Sequence, residues 1–255
     1  MESLKSKLAR GKLTLGSWIT LAHPGVAEIM ARAGFDWLAI DLEHSVITIR
    51  EAEELLRVIE LSGVSPLVRL SANDPVQIKR VMDAGSHGVV VPMVNSVSDA
   101  ERAVEAALYP PEGKRGVGLA RAQGYGGAFE SYRQWLKQEA VIIVQVEHIE
   151  AVDNLEAILA VEGVDGFIIG PYDLSGSLGV PGQFAQPVFQ KTMDRIRSVG
   201  IASGKAFGIH VIEPDVAELR HRVDEGYNFL AYSLDIRMLD RTCRDGLDAI
   251  RNGIR

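Results

Sequence analysis

Eight short apolar runs are spaced along the whole chain, and most are followed by an amphipathic segment. The runs cover residues 13–19, 36–42, 65–70, 87–93, 141–147, 164–170, 204–210 and 228–234. Several are almost continuously apolar without strict alternation, which is typical of parallel strands covered on both faces. The pattern predicts strands and helices in alternation.

Three of the connecting segments are predicted to be helices: 48–63, 74–85 and 96–109. Each has apolar residues at helical spacing opposite charged ones. Asp74 and Ser96 are suited to cap the starts of the second and third segments.

Eight strand–helix units in about 250 residues match the size of a (β/α)8 barrel. An open, doubly wound sheet is the alternative, but it usually has fewer strands. A nucleotide-binding version also needs a glycine-rich turn after its first strand. Here the first run continues as ITLAHPG (19–25), which lacks that turn. The sequence predicts a single α/β domain, a (β/α)8 TIM barrel, over residues 1–255.

The composition excludes several classes of protein. No uninterrupted apolar stretch reaches the roughly 18 residues of a membrane span, and the N-terminal segment 1–12 lacks the apolar core of a secretory signal. That segment is predicted to be a short surface helix. The net charge of −7 argues against a nucleic-acid surface, and the single Cys243 excludes an internal disulfide framework. We expect a cytoplasmic protein.

Ionisable side chains follow four of the predicted strands at the point where each strand ends. They are Asp41, Glu43 and His44 after the second strand, Arg69 at the third, Glu147 at the fifth and Asp173 after the sixth. Active sites of (β/α)8 barrels form at the carboxyl ends of the strands. The sequence therefore predicts an enzyme with its active site at this edge.

Glu147 and Asp173 are the predicted metal ligands. The fifth and sixth strands are neighbours in a barrel, so the two carboxylates would repel each other unless a cation lay between them. Oxygen ligands favour Mg²⁺ or Mn²⁺, with water in the remaining positions. Either acid alone would more often be a capping or surface residue.

His44 and Arg69 are predicted to be catalytic. His44 can exchange a proton near neutral pH, and both Asp41 and Glu43 are candidates to orient its ring. Arg69 suits the stabilisation of an enolate or the binding of a carboxylate. Its structural alternative is an ion pair that closes the mouth of the barrel.

The segment 170–184 predicts an anion site. Gly170 allows a tight turn out of the sixth strand, and a short helical turn at Asp173 and Leu174 would direct free N–H groups at the barrel mouth. A substrate carboxylate could bind there.

The connection 109–135 is unusually long and rich in glycine, arginine and tyrosine. Connections of this length are commonly functional or disordered. We interpret it as a mobile active-site loop, with Arg121 and Tyr125 near its centre as the expected contacts. Surface residues of a lid, or contacts between subunits, are the alternative.

The chain resembles the HpcH/HpaI aldolases, which are class II, metal-dependent pyruvate aldolases. The resemblance is carried by FDWLAIDLEHS (35–45), PLVRL (66–70), DAGSHGVVVPMV (83–94), YPPEGKRGVG (109–118), VQVEHIEAVDNL (144–155) and VEGVDGFIIGPYDLSGSLG (161–179). It implies reversible cleavage of 4-hydroxy-2-oxo acids to pyruvate and an aldehyde through a pyruvate enolate, with oxaloacetate decarboxylation as a side activity. It also implies a divalent metal (Mg²⁺, Mn²⁺ or Co²⁺) and hexamers or trimers, with exchanged C-terminal helices.

The resemblance implies a role for each matching residue. These roles are metal binding by Glu147 and Asp173, general base for His44, orientation of that base by Asp41, contact with the pyruvate oxygen by Arg69, and substrate binding by Gln145, Gly170, Asp173 and Leu174. The chain departs from better-known members at 118–129 and at Leu42. The aldehyde specificity is therefore left open, and we expect Arg121 and Tyr125 of the long connection to contact the aldehyde half of the substrate.

Three rival functions remain. A Schiff-base aldolase would use Lys205 or Lys114. An acyl-CoA lyase of the citrate-lyase β type and a non-catalytic 2-oxo acid binding protein are the others.

Overall fold

The computed structural model describes residues 2–253. Eight parallel strands form a closed barrel in chain order, with β8 paired to β1. The strands are β1 (Thr14–Ile19), β2 (Trp37–Asp41), β3 (Ser65–Arg69), β4 (Gly88–Val91), β5 (Val141–Val146), β6 (Gly166–Ile169), β7 (Ala206–Val211) and β8 (Phe229–Leu234). Every strand end lies within two residues of its predicted position, so the (β/α)8 barrel is confirmed. The single domain over 1–255 stays a prediction.

Helices connect the strands around the outside of the barrel. They are α1 (Leu4–Ala9), α2 (Pro24–Arg32), α3 (Ile49–Leu61), α4 (Pro75–Asp83), α5 (Val97–Ala107), α6 (Phe129–Glu139), α7 (Ile149–Asp153), α8 (Leu155–Ala160), α9 (Pro171–Ser177), α10 (Pro187–Ser203), α11 (Val216–Asp224) and α12 (Asp235–Gly253). Asp74 and Ser96 cap α4 and α5 as predicted. Each cap satisfies an otherwise free N–H of the first helical turn.

Helix α1 closes the amino-terminal end of the barrel. Leu4 and Leu8 are buried, 5% and 2% exposed, and pack with the residues that fill the barrel interior, such as Trp18 and Trp37. Lys5 Nζ donates a hydrogen bond of 2.6 Å to the carbonyl of Ala140, directly before β5. A helix at 1–12 is confirmed, but its prediction as a surface helix is wrong, because its two leucines complete the core.

The long connection lies at this same amino-terminal face. Arg121 Nη1 donates to the carbonyl of Ala84 at 3.0 Å, and Nη2 bonds Glu60; Ala84 lies between α4 and β4. Tyr125 borders the same surface depression as Arg121. Within its own barrel, therefore, the predicted contact of Arg121 and Tyr125 with an aldehyde is wrong. The segment also contains a 3₁₀ turn (Arg121–Gly126) and the first half of α6.

Helix α12 extends from the carboxyl end of β8. Asp235 is buried and accepts hydrogen bonds from the backbone N–H groups of Thr20 and Leu21, both at 2.8 Å. Beyond it, Leu239 and Leu247 are exposed. The helix is thus anchored at its start and presents an apolar stripe along its length. None of the helices within residues 2–253 has the length and apolarity needed to cross a membrane.

Candidate active site

The predicted site residues meet at the carboxyl ends of the strands. A cavity of about 320 Å³ opens there, and it is bordered by Asp41, His44, Arg69, Gln145, Gly170 and Asp173, among others. The strands that carry them pair as neighbours: β2 with β3, and β5 with β6. The structure therefore brings these side chains around one cavity.

Asp41 and Arg69 form a buried ion pair. Arg69 Nε donates to Asp41 Oδ1 at 2.9 Å and Nη2 donates to Oδ2 at 2.6 Å; the Asp41 side chain is 1% exposed and that of Arg69 13%. The Arg69 guanidinium also lies 4.4 Å from the ring centre of Trp18. This two-point pairing and stacking fix its plane. Arg69 Nη1 is left without a hydrogen-bond partner among residues 2–253.

Asp41 does not contact the His44 ring. Its Oδ1 accepts the backbone N–H groups of Glu43 (3.0 Å) and His44 (3.2 Å), and both oxygens face Arg69. The acid nearest the ring is Glu43, whose Oε2 lies 3.8 Å from His44 Nε2. Asp41 thus shapes the turn that carries His44 without contacting its ring, and its role in orienting the base stays a prediction. Of the two candidate acids, Glu43 is the one that lies beside the imidazole ring.

Glu43 lies at the centre of the charged groups. Its Oε2 is 3.5 Å from Arg69 Nε and 3.3 Å from Gln145 Nε2. Burial raises the pKa of Glu43; Arg69 opposes this shift, and the charge of Glu147 adds to it. A carboxyl group that is held less acidic than usual suits proton exchange with a neighbouring imidazole.

Glu147 is 3% exposed and is held by two donors. The N–H of Met93 donates to Oε1 at 2.6 Å, and the amide of Gln145 bonds Oε2. Met93 has a φ of 52°, in the left-handed region that side-chain-bearing residues rarely adopt. This contact was missed at the sequence level, since nothing about a methionine after β4 signals a strained turn.

The space around Glu147 suits a cation. A Cβ at Gly170 would lie 3.1 Å from Glu147 Oε2, so glycine keeps that side of the carboxylate open. Asp173 is exposed in the first turn of α9 and borders the cavity. Across the site, the carboxylates outnumber the single guanidinium of Arg69, so a divalent cation would offset the excess negative charge.

The donor set for such a cation is small. In the described part of the chain, no cluster of three or more histidine, cysteine, aspartate or glutamate residues could hold a metal ion. A cation would therefore take Glu147 and Asp173 and complete its shell with water, as Mg²⁺ commonly does. Binding at Glu147 Oε2 would replace the present contact with the Gln145 amide. The metal assignment itself stays a prediction.

One backbone amide at the start of α9 is already paired within the turn. Leu174 N–H donates to the carbonyl of Gly170 at 3.0 Å, and the Leu174 side chain is fully buried in the core. Direct substrate binding by Leu174 is therefore not supported. Pro171 has no N–H, so Tyr172 and Asp173 supply the amides that remain for an anion at this turn.

The lysines required by the Schiff-base rival lie elsewhere. Lys205 precedes β7 at the amino-terminal face, where its Nζ donates to the carbonyl of Val164 at 2.6 Å. Lys114 pairs with Glu105 on the surface at 2.8 Å. Neither lysine borders the cavity, and its lining among residues 2–253 contains no lysine.

Two histidines near strand ends have structural roles. His23 and His148 cap α2 and α7, and each accepts a backbone N–H of the first helical turn through Nδ1. His210 differs, because its ring borders the cavity.

A family model described as HpcH/HpaI aldolase/citrate lyase matches residues 14–241. The chain is 40% identical over 248 residues to the hydroxypyruvate/pyruvate aldolase of Roseobacter denitrificans, covering 95% of this chain and 94% of that protein. It is 38% identical over 256 residues to the 4-hydroxy-2-oxovalerate aldolase of Novosphingobium aromaticivorans, covering 100% and 96%.

A solved structure shows the same architecture. The crystal structure of an HpcH/HpaI aldolase/citrate lyase family protein from Burkholderia cenocepacia superposes with a TM-score of 0.91 at 35% identity, covering 97% of this chain and 98% of that one.

Proposed function

The chain belongs to the HpcH/HpaI aldolase/citrate lyase family, and we propose that it reversibly cleaves a 4-hydroxy-2-oxo acid to pyruvate and an aldehyde. The observation that carries this proposal is that Arg69, His44 and Asp173, which follow three different strands, border one cavity. Glu147 lies directly after β5 and bonds the amide of Gln145, which borders the same cavity. Two named aldolases match almost the whole chain, which supports the same activity.

The family is divalent-metal dependent, and we propose Mg²⁺ or Mn²⁺, with Co²⁺ as a further candidate, held by Glu147 and Asp173. When bound, such an ion supplies positive charge beside the C2 oxygen of the 2-oxo acid and lowers the cost of the enolate. The open side of Glu147 at Gly170 and the excess of carboxylates support this assignment.

Arg69 and His44 are proposed to carry the bond cleavage. The unpaired Nη1 of Arg69 donates to the oxygen on which the enolate charge develops, while Asp41 holds the guanidinium in place. His44, with its side chain 62% exposed, removes the proton of the C4 hydroxyl. The C3–C4 bond then breaks, the aldehyde leaves, and the bonding electrons form the pyruvate enolate. Protonation of the enolate at C3 gives pyruvate.

The groups that stabilise the pyruvate enolate should also allow the protein to decarboxylate oxaloacetate. Loss of CO₂ from oxaloacetate also leaves a pyruvate enolate, and it requires no aldehyde pocket. Gln145, Gly170 and the amides of Tyr172 and Asp173 are proposed to bind the pyruvate part.

The first test separates metal from Schiff-base chemistry. We expect a chelator to abolish aldol cleavage and decarboxylation, and Mg²⁺ or Mn²⁺ to restore both, because the enolate would lose the cation that stabilises its charge together with Arg69. Borohydride with pyruvate should leave the mass of the protein unchanged. Covalent inactivation by borohydride would show that a lysine participates and that the metal mechanism is wrong.

A second test addresses the base. His44→Ala should lower the aldol kcat by about 10²–10⁴-fold and keep the affinity for Mn²⁺ and pyruvate. His148→Ala is the matched control, because that histidine caps α7 at the same face; it should cost about 1 kcal/mol of stability and little rate. Equal losses in the two variants, or loss of Mn²⁺ binding in His44→Ala, would contradict the role of His44.

We also propose a cytoplasmic homo-oligomer, a hexamer or a trimer. The exposed apolar stripe of α12 supports association, and sedimentation velocity would measure its size.

A further inference from the structure

His210 borders the same cavity as Arg69 and packs against Trp18. Its ring centre is 5.8 Å from that of Trp18, with the two planes at 71°. The Arg69 guanidinium lies 4.4 Å from the same indole. Trp18 therefore packs against both Arg69 and His210. Because His44 and His210 border the same cavity as Arg69, His210 lies within the space open to the rest of a substrate whose C2 oxygen meets Arg69.

The hydrogen bond of His210 fixes its tautomer. Nε2 lies 3.0 Å from the carbonyl oxygen of Ser233. A carbonyl can only accept, so Nε2 carries the proton and Nδ1 is an acceptor. Burial lowers the pKa of His210 to about 4, a shift that Arg69 reinforces and that the Ser233 carbonyl and Asp41 oppose. The ring is thus neutral near pH 7. Within residues 2–253, no group donates to Nδ1.

The backbone at Ser233 is strained, and this conformation places its carbonyl beside His210 Nε2. Ser233 is buried with a φ of 52°, where the pairing of β8 with β1 is irregular. Its hydroxyl donates to the carbonyl of Ile212 at 2.9 Å, and its own carbonyl also accepts the Ser17 hydroxyl at 3.1 Å. Strain of this kind persists where the surroundings determine the conformation. Here the Ser233 carbonyl holds Nε2 of His210 as a hydrogen-bond donor. Nδ1 is then available as an acceptor.

We infer that Nδ1 of His210 accepts a hydrogen bond from a hydroxyl group on the aldehyde half, so that the site selects 2-hydroxyaldehydes over aldehydes without a hydroxyl. This rests on the proposed aldolase function. The carbonyl of an aldehyde can only accept, so the donor must be a substituent. A methyl group in its place would leave the acceptor desolvated and unpaired, which disfavours that substrate.

The experiment compares glycolaldehyde with propionaldehyde, each condensed with pyruvate, because the two differ by a hydroxyl in place of a methyl. His210→Phe keeps a ring against Trp18 and removes the acceptor. It should lower the kcat/KM for glycolaldehyde, relative to that for propionaldehyde, by about tenfold. His210→Asn keeps an acceptor near the position of Nδ1 and should retain most of the preference. Ile236→Val, in the same wall, should change both aldehydes by one factor.

Oxaloacetate decarboxylation separates failure of this inference from failure of the proposed function. It uses the pyruvate half alone and should stay within about threefold of wild type in His210→Phe, since one remote hydrogen bond is removed. An unchanged aldehyde ratio with intact decarboxylation overturns the inference and leaves the aldolase function standing. A wild-type ratio near one, or parallel loss of both aldehydes in the Phe and Asn variants, also overturns it. A wild-type protein that neither condenses nor decarboxylates overturns both.

Discussion

Replacing Arg69 by methionine is expected to lower the free energy of unfolding by about 3–5 kcal/mol, because it leaves the Asp41 carboxylate buried and unpaired. Both Asp41 oxygens face Arg69, and the Asp41 side chain is almost inaccessible to water. The same change removes the donor to the enolate, so oxaloacetate decarboxylation should fall by about 10²–10³-fold. Urea unfolding at one fixed protein concentration and steady-state rates measure the two effects.

A double variant distinguishes the two roles. Asp41→Asn combined with Arg69→Met removes both charges, and the amide oxygen of the introduced asparagine can still accept the N–H groups of Glu43 and His44. Stability should therefore recover most of the loss, whereas the rate should remain low. If the double variant were as unstable as Arg69→Met, the buried charge would not be the cause. Full decarboxylation by Arg69→Met would contradict the role of Nη1.

Glu147→Gln should abolish metal-dependent turnover. The glutamine oxygen can still accept the Met93 N–H, so the fold should persist, but the side chain loses its charge and offers the cation a weaker ligand. Loss of several kcal/mol of charge stabilisation corresponds to a fall in kcat/KM of about 10³-fold or more. Oxaloacetate decarboxylation and Mn²⁺ binding, followed by calorimetry or electron paramagnetic resonance, would measure the effect.

Glu150→Gln is the matched control for Glu147→Gln. Glu150 lies three residues further on, in the first turn of α7, with its side chain 68% exposed. Its change removes one negative charge from the same face and should alter the rate less than about twofold, as expected for a solvated charge. Unchanged Mn²⁺ affinity in Glu147→Gln would show that the cation binds elsewhere.

The barrel could be predicted because each parallel strand, buried on both faces, requires a run of apolar residues. The convergence of Arg69, Glu147 and Asp173 followed from one rule, that strand ends in a barrel share an edge. The sequence could not show which side chains at that edge contact each other. Asp41, Glu43 and His44 are so close in sequence that only the path of the turn decides which acid meets the imidazole.

The error at 109–135 has a different origin. An active-site loop must start at the carboxyl end of a strand, but the predicted helix at 96–109 already carries the chain back across the barrel. The residues after α5 therefore begin at the amino-terminal face, where Arg121 meets Ala84. The handedness and direction of a strand–helix–strand unit contained this information. The left-handed backbone at Met93 and Ser233 had no comparable signal, because neither residue type favours it.

Because α1 closes one end of the barrel, the point at which the protein is attached to a solid support decides whether the cavity faces the solution. Leu4 and Leu8 anchor this helix beneath the interior, at the end opposite to the cavity. A support attached through surface residues of α1 would face the sealed end, and the open mouth would point toward the reactant solution. Attachment through α12, which starts beside the mouth, would crowd the entrance instead. Immobilised preparations of the two kinds should therefore differ in their access to bulky aldehydes.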